Sequence, residues 1–183
     1  LKIYILIKLT ILGLVMIKLS YDVKNYRKDL LEIVKPDDVV IELGCHIGGS
    51  TKLISNSCNV IAVDNSPEAE SEMSKLDVKF ITGDVRLHEV LSEVFKITQS
   101  CDVLAIDLGG GYHPDTVFKV FYIWSSTFKP AHTLIRNRGI LEFANSALGS
   151  GENYISERGY LKSYHDSGIP SQIKEFSLWT SSL

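Results

Sequence analysis

Five short apolar runs, separated by stretches with helical periodicity, constrain this chain more than any other feature. The runs cover residues 39–43, 59–63, 78–82, 102–106 and 132–136. They are nearly continuous rather than alternating, so both faces of each must be buried, as in a parallel strand. Between them, Leu30, Leu31 and Val34 mark one face of a helix over 26–34. Leu87, Val90, Leu91, Val94 and Phe95 mark another over 86–97, and Val117, Phe121, Trp124 and Phe128 a third over 114–128. Ser66 and Pro67 open a helix over 67–75, and 50–57 is expected as a short one. Strand–helix alternation of this kind predicts right-handed β-α-β units, hence an α/β three-layer sandwich around a mostly parallel sheet. Two late runs, 160–164 and 174–179, bring the expected count to roughly seven strands, and 142–148 is expected as a helical turn or two.

In such a fold, ligands bind outside the carboxyl ends of the strands. That places the loops at 43–49, 83–84, 107–112 and 136–139, with Asp64, on one edge. The first of them, ELGCHIGGST (42–51), holds Gly44, Gly48 and Gly49 at a strand-to-helix turn, where glycine lets the backbone approach a ligand closely. Asp64 ends the next strand 20 residues after Gly44, and a carboxylate there can accept two hydrogen bonds from a ribose diol. The plainer alternative is a tight turn and a helix-capping acid.

Bulk properties narrow the class further. The 183 residues are 45% apolar, enough for one domain with a sizeable core. Net charge is −3, from 19 basic and 22 acidic residues, so no global attraction draws the chain to nucleic acid; DNA is not expected, and RNA would need a local basic patch. Cys45, Cys58 and Cys101 form no C-x-x-C pair, which fits a reduced, cytoplasmic protein better than a disulfide or zinc framework.

Residues 1–19 are strongly apolar but carry Lys2, Lys8 and Lys18. The uninterrupted stretch 9–17 is too short to span a bilayer, and no small-residue cleavage site follows it. The expectation is a domain over 20–183, starting natively near Met16, behind an apolar extension or docking segment; a membrane anchor and an extra core element are the alternatives.

The ordered set ELGCHIGG, VIAVDNSPE, ITGDV and LAIDLGGGYH resembles the motifs of class I S-adenosylmethionine-dependent methyltransferases, over about residues 26–145. The resemblance implies a Rossmann-like fold and S-adenosyl-L-methionine as cofactor. An acid at Glu42 lies, in that family, under the methionine part of the cofactor, near its ammonium; a pyrophosphate-binding dehydrogenase has little use for negative charge there. Gly44, Cys45, His46 and Gly48 then correspond to the cofactor loop. His46 stands at the middle glycine of the common pattern, a glycine that relatives resembling catechol O-methyltransferases also lack. Asp64 and Asn65 would face the adenosine. Asp84 would approach the adenine amino group, with a helix cap near Arg86 as its alternative.

On the substrate side the resemblance implies Asp107 and His113 as candidate bases, with Tyr112, Arg136 and Arg138 facing the methyl acceptor. Some such enzymes bind Mg²⁺ through an acid like Asp107 and an Asp-Asn pair; here the pair is Arg136-Asn137, so no metal is expected. Arginines at this edge suit an anionic small molecule or RNA. A non-catalytic cofactor-binding module and an NAD-dependent oxidoreductase remain the competing readings, although a clean G-x-G-x-x-G is missing.

Overall fold

A computed structural model of the chain describes residues 17–149 and 156–161. Six strands form one sheet: β1 (Ile17–Ser20), β2 (Val39–Leu43), β3 (Asn59–Asp64), β4 (Lys79–Thr82), β5 (Val103–Ile106) and β6 (His132–Arg136). Among the described residues five helices accompany them: α1 (Val23–Ile33), α2 (Pro67–Met73), α3 (His88–Ile97), α4 (Pro114–Phe128) and α5 (Arg138–Ser146). The sheet order is β1-β6-β5-β2-β3-β4, and all five pairings are parallel.

Strand alternation sorts the core into two layers. Ile41, Leu43, Ile61, Val63, Ile81, Leu104 and Ile106 face α3 and α4, where Trp124, Phe121 and Phe128 are fully or almost fully buried. Val40, Val60, Ala62, Val103, Ala105 and Leu134 face Tyr26 and Leu30 of α1 and Ala69 and Met73 of α2. Trp124 also donates its indole N–H to the Val85 carbonyl at 2.8 Å, which ties α4 to the loop after β4.

Several expectations shift. Helix α1 starts three residues early because Asp22 caps it, accepting from the Asn25 N–H at 2.8 Å. The short helix expected over 50–57 is only a 3₁₀ turn at Thr51–Leu53. The weak segment at 142–148 is a full helix, α5, beginning at Arg138 because Asn137 caps it. Ser66 precedes α2, but its hydroxyl bonds Asp64 rather than the helix.

Among the described residues the sheet has six strands rather than about seven. The expected strand at 160–164 shows no strand at 160–161, and its remainder, like all of 174–179, lies outside the described residues. Strand β1 takes in Ile17–Leu19 from the apolar N-terminal stretch, pairing Ser20 with Arg136. Lys18 fastens it to α1 through Asp29 at 2.7 Å and Glu32 at 3.0 Å. Residues 1–16, the bulk of the expected extension, lie outside the described residues.

The strand order reverses between β2 and β5, neighbours whose outgoing chains turn to opposite sides. That switch point, at the carboxyl edge, is where the rule for open α/β sheets puts the ligand.

Candidate functional site

A cleft of about 650 Å³ opens at the switch point, within the range typical of small-molecule and cofactor sites. Its walls come from the ends of β2, β3, β4, β5 and β6, and from α1 and the start of α4.

The glycine loop forms one wall. Gly44 has φ +87°, and a Cβ there would lie 2.1 Å from the Asp107 carbonyl oxygen, so the loops after β2 and β5 touch backbone to backbone. Gly48 has φ +73° over Met73. His46, standing where a glycine is common, keeps a glycine-like backbone at φ +46°. Its N–H donates to Asp64 Oδ2 at 2.8 Å, and its ring Nε2 lies 3.0 Å from Glu68 Oε1 on α2.

Asp64 is nearly buried and already engaged: Oδ1 accepts from the Ser66 N–H at 2.7 Å and from its hydroxyl. A carboxylate has about four acceptor positions, so these three bonds leave room for one ligand hydroxyl. Asp84 is gripped by Arg86, whose Nε lies 2.9 Å from both carboxylate oxygens. That contact holds the Asp84 carboxyl below its ordinary range. Asp84 does not cap the next helix, which starts at His88 after Leu87.

Glu42 lies beneath the cleft rather than in its wall. It is 1% exposed and accepts from the Thr51 hydroxyl at 2.6 Å. Burial pushes its carboxyl up to about 7; the charges of Asp107 and Asp64 add to this and the Thr51 bond opposes it. Cys45 lines the cleft as a buried thiol, and burial raises it strongly, so it is no ready nucleophile.

On the other side, Arg136 donates through Nε to Asp107 Oδ1 at 2.7 Å. Burial raises the Asp107 carboxyl above its usual range, and Arg136 opposes the rise. A Cβ on Gly110 would sit 2.0 Å from the Arg136 guanidinium, so the glycine makes room for that side chain. His113 has φ +51°, lines the mouth, and precedes Pro114 at the start of α4. Asn137 is fully buried; Oδ1 accepts from the Ile140 N–H at 2.9 Å, and Nδ2 donates to the Tyr112 carbonyl at 3.1 Å.

Gly44, Cys45, His46, Asp64, Asn65, Asp84, Asp107, His113 and Arg136 therefore share one cleft, while Glu42, Gly48, Tyr112 and Arg138 stand outside its wall. Arg136 and Asn137 are committed to Asp107 and to the α5 cap, and among the described residues no three His, Cys, Asp or Glu side chains gather as a metal site. Sequence reasoning missed Arg27. It reaches from α1 into the cleft, its Nε 3.4 Å from Ser50 Oγ, and its guanidinium occupies the space a Cβ on Gly49 would need. Nothing in the local pattern around Arg27 separates it from any exposed helical arginine; only the proximity of α1 to Gly49 does.

The sequence matches the FtsJ-like methyltransferase family over residues 18–158. The chain belongs to that family. The match decides for a class I methyltransferase fold over the nicotinamide-dependent reading. No curated protein sequence matches the chain. Among solved structures, a Clostridium thermocellum protein described as an rRNA-methylase aligns at TM-score 0.51 and 14% identity, covering 70% of this chain and 82% of that one. An rRNA methylase from Streptococcus thermophilus aligns at 0.49 and 14%, covering 71% and 87%. A precorrin 8w decarboxylase from Methanobacterium thermoautotrophicum aligns at 0.43 and 20%, and there this FtsJ-like chain spans only 56% of the relative's length. No helix among the described residues is long and apolar enough to cross a membrane.

Proposed function

We propose that this FtsJ-like chain transfers a methyl group from S-adenosylmethionine to an anionic acceptor, and that the acceptor is RNA. The observation that carries the proposal is the Asp107–Arg136 pair, set at the switch point directly against the glycine loop. It puts an acid and a guanidinium beside a nucleoside-sized cleft.

The residues present fit the cofactor. Asp64 retains acceptor capacity for a ribose hydroxyl, Asn65 and Asp84 line the cleft with it, and Glu42, buried beneath and raised to about 7 in the free protein, is drawn to its charged form by a cationic methionine moiety above it. When bound, the cofactor supplies an electrophilic methyl group and departs as a neutral thioether. The protein's task is alignment and electrostatics. Arg136, with Arg27 across the cleft, receives the acceptor's negative charge. As Arg136 turns to the acceptor, Asp107 loses its partner, becomes more basic, and takes the proton the acceptor hydroxyl gives up. His113, exposed at the mouth, is the second candidate for that proton. The rRNA methylases among the structural relatives make RNA the acceptor to test first.

The test is methyl incorporation from tritiated S-adenosylmethionine into an RNA pool and into a panel of acidic metabolites. Arg136→Ala is expected to lower kcat/KM about tenfold to a hundredfold with cofactor affinity unchanged. Incorporation into metabolites but not RNA moves the acceptor class. Absence of incorporation into either acceptor class, or absence of cofactor binding, removes the proposal.

A further inference from the structure

Outside the cleft wall, Arg138 packs on Tyr21 and lies beside the backbone that leads into Tyr112. Arg138 lies with its guanidinium carbon 4.5 Å from the Tyr21 ring centroid. Its Cβ sits 3.9 Å from where a Cβ on Gly111 would be, and its N–H donates to the Gly110 carbonyl at 3.1 Å. The next residue, Tyr112, is 78% exposed, although its own carbonyl is pinned by Asn137. Tyr21 is 47% exposed. Ser20 and Arg136 are register partners at the ends of β1 and β6, so Tyr21 and Arg138 leave the sheet side by side, next to the guanidinium that faces Asp107.

Two tyrosine rings left open to water on anchored backbone, one of them with a planar cation over its face, are poorly explained by core formation. Aromatic faces and arginine planes stack on unpaired bases, and an arginine also meets the phosphate between two bases. We propose that Tyr112, Arg138 and Tyr21 form a stacking lip that holds the unpaired nucleotides flanking the methylated one. The inference rests on RNA being the acceptor and adds a subsite beyond the Asp107–Arg136 pair. The lip reads no base identity, because every base offers a π-face; it selects single strands over duplex.

The test is fluorescence anisotropy of a fluorescein-labelled 12-nucleotide single-stranded RNA of mixed sequence, titrated with the full chain. A duplex of the same length and an abasic oligomer of the same charge are the controls. Tyr112→Ala and Tyr21→Ala are each expected to weaken single-strand binding about tenfold, Tyr112→Phe to leave it unchanged, and Arg138→Lys to weaken it despite the conserved charge. The abasic oligomer should bind weakly to the parent protein and be insensitive to Tyr112→Ala. Unfolding temperatures with and without S-adenosylhomocysteine establish that each variant is folded and loads cofactor. Parent protein that binds the RNA, with both alanine variants binding equally well, overturns the lip and leaves the RNA acceptor standing. Parent protein that loads cofactor but binds no RNA overturns both.

Discussion

The His46 N–H donates to Asp64 Oδ2 at 2.8 Å while His46 itself sits at φ +46°. The left-handed turn that glycine normally supplies is thus made by a histidine, held in place by the acid that ends the neighbouring strand. A left-handed conformation costs a non-glycine residue about 1–2 kcal/mol. His46→Gly should therefore unfold no earlier than the parent and keep cofactor binding, since the exposed Glu68 contact it loses contributes little. His46→Val, β-branched at positive φ, should lose about 1–2 kcal/mol. Thermal denaturation of the two variants checks both directions.

The glycines of the two site loops should rank by what surrounds them. Gly44→Ala drives a methyl into the Asp107 carbonyl, which is backbone and cannot swing away. It should abolish cofactor binding and cost more than about 3 kcal/mol. Gly109→Ala, at φ +91° with nothing within 4 Å, should cost only backbone strain, about 1–2 kcal/mol. Urea denaturation of the pair measures the difference.

Glu42 should make the free protein less stable as pH rises. Its folded carboxyl titrates at about 7 against an ordinary 4.5, so between those values the folded state holds a proton that the unfolded state has released. Stability then falls with rising pH across that window, by at most about 3 kcal/mol, and levels off above it. Glu42→Gln should flatten this dependence. Unfolding free energies from pH 4.5 to 8 for both proteins give the comparison, and equal slopes would remove Glu42 as the cause.

Asn137→Ala should cost about 1–2 kcal/mol through loss of the α5 cap, and should loosen the Tyr112 loop, whose carbonyl loses its donor. Hydrogen exchange at the start of α5 and around Tyr112 is the direct readout, with faster exchange expected in both.

The strands and the carboxyl-edge loops were legible because buried parallel strands are continuous apolar runs; His132–Arg136 and Pro114–Phe128 fall where periodicity puts them. Strand β1 was hidden because Ile17–Leu19 merge with a longer apolar stretch, and only pairing with β6 distinguishes them. Helix α5 was underestimated because its start depends on the Asn137 cap, a side-chain bond rather than a hydrophobic stripe. At the site, strand-end acids were visible as punctuation after apolar runs. Their partners were not: Asp84 with Arg86, Asp107 with Arg136, and Arg27 against Gly49 are matters of direction in space. Tyr112 and Arg138 were placed facing the acceptor, and the structure puts both outside the cleft wall, with Arg138 against Tyr21.

We propose that the cleft at the β2–β5 switch point binds S-adenosylmethionine, with Asp64 on its ribose. Titration calorimetry of the parent chain and of Asp64→Asn, against S-adenosylmethionine and NAD in parallel, tests it most directly. The expected result is saturable binding of S-adenosylmethionine to the parent, affinity at least about tenfold weaker in a folded Asp64→Asn, and no heat with NAD. Binding of NAD but not of S-adenosylmethionine, or unchanged affinity in Asp64→Asn, would contradict it.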